Sequence, residues 1–221
     1  MLFRSNNRNP NLVEIADLCI VSSLTMPAFG VKVLEPITSQ LEYYRVRLET
    51  RLQKLQELDI FAKNRSLVPS IRDFIANQLP KLGISNGQDR FLFTHYDLSP
   101  RNVLISADHT RFTGIIDFEF SGFFTELDEF VNDSVANEGD WSDAFYEAYL
   151  SRLEACGMIT PRKGIKDQLW RKATTLSRFE DNIAPWWLEN VTPENKDQHL
   201  EDLHKSMGIV SETIQQLSDG I

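Results

Sequence analysis

Between residues 90 and 118 the chain leaves the spacing that governs the rest of it. Arg90 to Thr94, Asn102 to Ser106 and Arg111 to Phe118 are short runs rich in Phe, Val, Leu and Ile, set between polar loops, which is the pattern of β-strands. Asp108-His109-Thr110 supplies turn residues between the second and third runs, so these two are expected to form a hairpin. On either side of this stretch apolar residues recur at three- and four-residue steps, the mark of helices with one buried face. The expected fold class is therefore α+β, mostly helical, with a small β-hairpin region.

The helical spacing appears first over Asn11 to Leu24, through Leu12, Ile15, Ala16, Cys19, Ile20 and Leu24. Pro27, Gly30 and Pro36 interrupt it, and Gly30 to Leu34 reads as a connecting loop rather than a strand bearing Lys32. A longer helix follows from Leu41 through Tyr44, Leu48, Leu52, Leu55 and Leu58. A third runs from Pro69 to Pro80 with Ile71, Phe74, Ile75 and Leu79 on its face. Helical signals resume after Gly122. Thr125 with Asp128 resembles a capping box, and Thr160-Pro161 and Thr192-Pro193 each read as an N-cap followed by a first-turn proline. Two late helices carry Ile165, Leu169, Ala173, Leu176 and Ile183, and then Leu200, Leu203, Met207, Val210, Ile214 and Leu217. No repeat or linker divides the chain. It is read as one domain, 1–221, with leading helices and connector at 1–88, strands at 89–122 and a helical part at 123–221.

Of the 221 residues 42% are hydrophobic and 25% charged, which excludes disordered and low-complexity classes. The net charge of -9 opposes binding to a phosphate backbone, so nucleic acid is not an expected partner, and it favours cationic small molecules. No run reaches the roughly 18 to 20 apolar residues of a membrane span, and Met1 to Pro10 is polar, unlike a secretion signal. Neither a membrane nor secretion is expected. Cys19 and Cys156 lie among apolar residues at helical spacing and are read as buried thiols in a reducing, cytoplasmic setting.

The chemistry concentrates at the strands. His95-Tyr96-Asp97-Leu98-Ser99-Pro100-Arg101-Asn102 lies between the first two, and the third ends in Ile115-Ile116-Asp117-Phe118-Glu119. A carboxylate and an amide five residues apart, with a second carboxylate delivered by the next strand end, can converge on one point held by a rigid base. Such hard oxygen ligands suit Mg²⁺, which takes one or two carboxylates together with waters and substrate phosphates. In that scheme Asp97 takes the proton of an acceptor hydroxyl, and Asn102 and Asp117 hold the metal that bridges nucleotide phosphates. With four histidines in the chain, one followed by Asp at +2 and Asn at +7 arises by chance about once in a hundred such sequences.

His95-x-Asp97-x4-Asn102 followed by Ile116-Asp117-Phe118 resembles the catalytic and metal-binding segments of the aminoglycoside phosphotransferase and choline kinase superfamily. The longer strings Thr94 to Asn102 and Gly114 to Gly122 are most similar to fungal members of its phosphotransferase branch. The resemblance implies a protein-kinase-like C-terminal lobe over most of the chain, with Asp97 as base, Asn102 and Asp117 as Mg²⁺ ligands and ATP as donor. It also implies a hydroxyl-bearing acceptor held by the late helices. Protein kinases share the His-x-Asp-x4-Asn spacing, but Tyr96, Phe118-Glu119 and the lack of a following Ala-Pro-Glu favour a small-molecule kinase. No residue here matches the glycine loop or the lysine of a nucleotide-gripping lobe, since Gly30 is the sole glycine before Leu82. The alternative function is a non-catalytic, kinase-like binding module, with a second copy or a partner chain covering the surface such a lobe would occupy.

Other groups are read more plainly. His95 is expected to be structural, its ring bonding the backbone. Glu119 is weighed equally as a metal neighbour and a solvated turn carboxylate, and Asp128 as a brace of the catalytic loop or a helix-start charge. Trp186 and Trp187, near Glu180, Asp181 and Glu189, suit a cationic acceptor, but one ring in the core with the other capping it is favoured. His199, His204 and the run Arg45, Arg47 and Arg51 are expected to face water.

Overall fold

The computed structural model describes residues 25–26, 31–32, 37–84, 91–131, 142–192 and 195–220. In chain order its regular elements are β1 (Thr25–Met26), β2 (Val31–Lys32), α1 (Gln40–Glu57), α2 (Val68–Asp73), β3 (Phe91–Thr94), β4 (Val103–Ile105), β5 (Phe112–Ile115), β6 (Gly122–Thr125), α3 (Asp128–Val131), α4 (Asp143–Ala155), α5 (Asp167–Ile183) and α6 (Lys196–Asp219). The expected helix at Asn11 to Leu24, with Cys19, lies outside the described residues. The described residues are mostly helical, with three small antiparallel ladders among them. Among the described residues no helix is long and apolar enough to cross a membrane. Two compact units are formed, one from 1–37 with 88–167 and the other from 38–87 with 168–221.

The second unit is helical. Ser39 opens α1 as its Oγ accepts from the Glu42 backbone N–H at 3.2 Å, so the helix starts at a satisfied N-cap. Of the face that the spacing marked, Tyr44, Leu48, Leu52 and Leu55 are buried, joined by Tyr43, while Leu41 is half-buried and Leu58, past the helix end, is exposed. A 3-10 stretch, Asp59–Leu67, leads into α2, which continues as a π-helical turn over Phe74–Gln78. Phe74 meets Phe179 of α5 edge to face at 4.9 Å, and buried Asn64 donates to the Leu203 carbonyl of α6 at 3.1 Å.

The arginines of α1 depart from expectation. Arg47 and Arg51 are only 3% and 4% exposed, because both point at Glu180 of α5, itself 1% exposed. Arg47 Nε stands 2.7 Å from one Glu180 oxygen and Arg51 Nε 3.7 Å from the other, while Arg47 Nη1 donates to the Tyr43 hydroxyl at 2.6 Å. Glu180, from a distant helix, offsets part of the cost of burying these two cations. Asp181 is pushed up to about 6 by burial and the neighbouring Glu180 charge, against the opposing pull of Arg47 and Arg51. His199 is also buried rather than solvated, with Nε2 2.8 Å from the Leu188 carbonyl, whereas His204 is exposed as expected. Neither tryptophan enters the core. Trp186 is 66% and Trp187 47% exposed, on a 3-10 turn anchored by buried Leu188. α6 begins at Lys196, after the Thr192-Pro193 expected to start it, and Pro193 lies outside the described residues.

In the first unit β4 and β5 form the expected hairpin, pairing Val103 with Ile115 and Leu104 with Gly114. Asp108 shapes its turn by accepting from Ser106 Oγ and the Thr110 N–H, which holds its carboxyl below the ordinary value. Phe123 to Thr125, expected to start the helical part, instead belongs with Gly122 to a strand that pairs with β3 from Phe91 against Thr125 to Thr94 against Gly122. Val31–Lys32, read as loop, pairs with Thr25–Met26. Thr160-Pro161 starts no helix. The Thr160 and Lys163 backbones bond each other in a turn closed by Gly164 at φ 96°, where a Cβ would sit 2.9 Å from the Ile159 side chain. Thr160 Oγ1 and Arg162 both hold Glu154 of α4, which keeps that carboxyl low. Cys156, at the end of α4, is exposed rather than buried because the helix stops in a Schellman-type turn. There Met158 N–H reaches the Leu153 carbonyl and Gly157 adopts φ 75°.

Candidate active site

The loop after β3 carries Asp97 and Asn102, and the loop after β5 carries Asp117. Thr94 and His95 are buried where β3 ends, and the chain then turns through Tyr96 at φ 69°. A left-handed backbone at a bulky residue costs on the order of 1 to 3 kcal/mol. The Tyr96 ring helps hold it there by stacking on Phe124 of β6 at 4.3 Å. The turn presents Asp97 at the edge of the unit, its side chain 18% exposed. Ser99 N–H donates to the Asp97 carbonyl, and a 3-10 turn, Pro100–Asn102, then folds Arg101 and Asn102 back onto Asp97.

Asn102 is buried and gives both of its bonds through Nδ2, to the Asp97 carbonyl at 2.8 Å and to Asp97 Oδ2 at 3.1 Å. The amide is thereby oriented with Oδ1 as its remaining polar end. Arg101 Nη2 reaches Asp97 Oδ1 at 2.9 Å and Oδ2 at 3.2 Å.

The two loops are fastened at Ile116. Its N–H donates to the Asn102 carbonyl at 3.0 Å, and its own carbonyl lies 2.9 Å from His95 Nε2. A carbonyl can only accept, so Nε2 carries the hydrogen, and the ring serves as the structural strut expected of it. Phe118 packs against the same ring at 4.8 Å. Asp117 is therefore one residue from the joint with Asn102. It holds φ 65° and is exposed, with no hydrogen bond or ion pair to another described residue. Glu119 is exposed in the following turn. Asp128 accepts from the Thr125 N–H at 3.0 Å and from Thr125 Oγ1 at 2.5 Å, the geometry of a helix-start cap.

Among the described residues no three His, Cys, Asp or Glu side chains could share one metal ion. A transition-metal centre of that kind is not built here. Asn102 Oδ1 and the exposed Asp117 carboxylate are oxygen donors of the kind that Mg²⁺ takes together with waters and phosphates. The structure brings Asp97 and Asn102 into direct contact and sets Asp117 beside their backbone joint. Spacing alone did not disclose the Arg101 contact, because an arginine four residues on is read as exposed unless the intervening turn is known to double back.

A family model described as the phosphotransferase enzyme family matches residues 24–162, which takes in both loops. No curated protein and no solved structure matches the chain.

Proposed function

The chain belongs to the phosphotransferase enzyme family, and on that premise we propose that it is a small-molecule kinase of the aminoglycoside phosphotransferase type, moving the γ-phosphoryl group of ATP to a hydroxyl. The observation that carries this reading is the paired Asp97 and Asn102 on one loop, fastened through Ile116 to the strand end bearing Asp117. Asp97 accepts the proton of the acceptor hydroxyl, and Asn102 and Asp117 hold Mg²⁺. The metal, when bound, neutralises phosphate charge and aligns the γ-phosphoryl group. Fastening matters because a shift of about 1 Å in the attacking oxygen costs on the order of a hundredfold in rate. The net charge of -9 suits a cationic acceptor.

The test is phosphoryl transfer from labelled ATP to a panel of amino-alcohol and sugar acceptors, with Mg²⁺. Transfer is expected from the parent and not from Asp97→Asn, with circular dichroism unchanged. Equal transfer by both would remove Asp97 as base. A second reading, a non-catalytic module covered by a partner protein or a second copy, is favoured by the exposure of Phe93, Leu104, Ile105, Phe112, Ile116 and Phe118. Light scattering separates the two: a stable dimer with no turnover supports the second.

A further inference from the structure

The geometry points to Arg101 as a cation that changes partners during the reaction. It holds Asp97 in the resting site and turns to the transferred phosphoryl group once the nucleotide is bound, which releases Asp97 Oδ1 for the acceptor hydroxyl. This rests on Asp97 as base and a nucleoside triphosphate as donor.

Asp97 has one fixed side and one movable side. On the fixed side buried Asn102 holds Oδ2 and the backbone carbonyl, and Ser99 N–H holds that carbonyl as well. On the other side Arg101 Nη2, from a side chain that is 59% exposed, reaches Oδ1 at 2.9 Å and, more distantly, Oδ2 at 3.2 Å. The guanidinium end of this pair is open to water, where solvation offsets much of the attraction, so Arg101 can leave Oδ1 while Asn102 keeps the 18% exposed carboxylate in place. It must leave or yield, because a donor already on Oδ1 competes with the acceptor hydroxyl for the same lone pairs.

Charge supplies the destination. In the two loops, His95 to Asn102 and Ile115 to Gly122, Arg101 is the sole lysine or arginine, against the carboxylates Asp97, which it touches, Asp117 and Glu119. A phosphoryl group brought beside Asp97 would meet that carboxylate and the Arg101 guanidinium that touches it. The planar guanidinium matches a pair of phosphate oxygens better than it does the edge of a single carboxylate already held by an amide. The 3-10 turn fixes the Arg101 backbone through the Asn102 N–H to Ser99 carbonyl bond, so the side chain alone has to swing. In the step itself the hydroxyl proton passes to Asp97 Oδ1 and the acceptor oxygen bonds to the γ-phosphorus. The bond to the bridging oxygen breaks, and the nucleoside diphosphate leaves with that electron pair.

The experiment is an NMR titration of the full chain with Mg²⁺ and either ADP or a non-hydrolysable ATP analogue, up to millimolar ligand. The parent is expected to prefer the triphosphate by about tenfold or more. Arg101→Ala abolishes that preference and leaves ADP affinity unchanged, and Arg101→Lys keeps part of it. Asp97→Asn, lacking the competing carboxylate, raises it. An unchanged preference in Arg101→Ala, or equal loss of both nucleotides with the fold intact, overturns the role given to Arg101 alone. No binding of either nucleotide by the parent overturns the kinase reading and this role with it.

Discussion

The His95 ring donates from Nε2 to the carbonyl of Ile116 across 2.9 Å, tying the loop that bears Asp97 to the strand end that bears Asp117. His95 is 2% exposed, so nothing from solvent replaces that bond. His95→Ala leaves the Ile116 carbonyl without this donor and is expected to cost about 1 to 3 kcal/mol of stability. Urea denaturation measures it, and a loss below about 0.5 kcal/mol would show that the tie is not needed.

Asp117→Ala should abolish Mg²⁺-dependent nucleotide binding while leaving the fold intact, because its carboxylate is exposed and pairs with no described residue. Calorimetry with Mg²⁺ and nucleotide is the check. Parent-like affinity in the variant would reject the metal assignment.

How much of this was legible in the sequence depends on the range of the contact. The β4–β5 hairpin and the face of α5 were readable because periodicity is local, whereas α6 buries Leu203, Val210 and Leu217 as expected but turns His199, Ser206 and Thr213 inward in place of Leu200, Met207 and Ile214. The contact of Asp97 with Asn102 was readable because the loop between them is short. Arg47 and Arg51 misled because their partner, Glu180, lies on another helix more than a hundred residues away, and no local pattern distinguishes a paired buried arginine from a wet one. Gly122 to Thr125 pairs with Phe91 to Thr94 from the far side of the hairpin, so its four residues lacked any adjacent turn to mark them as a strand. Trp186 and Trp187 face outward because Leu188, the smaller residue, anchors their turn.

The buried cluster makes its own prediction. Glu180→Gln removes the carboxylate that both Arg47 and Arg51 approach and should cost about 3 to 5 kcal/mol. A denaturation midpoint close to that of the parent would show that the pair is not what makes the arginines tolerable.

Asp181 gives stability a pH dependence. Its carboxyl rises from 3.8 to about 6 in the folded chain, so between those values the folded state binds more protons than the unfolded state. The contribution is full below pH 3.8 and is lost as the pH rises through about 6, amounting to at most roughly 3 kcal/mol. Asp181→Asn should remove that fall. Stability curves of parent and variant that stay parallel from pH 4 to 7 would contradict it.

The central claim, one metal-dependent phosphoryl-transfer site built from Asp97, Asn102 and Asp117, is tested most directly by placing Mn²⁺ where Mg²⁺ would bind and reading its paramagnetic broadening by NMR in the presence of ATP analogue. The account predicts that signals of Asp97, Asn102 and Asp117 vanish first and that Asp117→Ala restores them. Broadening centred elsewhere in the chain, or unchanged by Asp117→Ala, would contradict it.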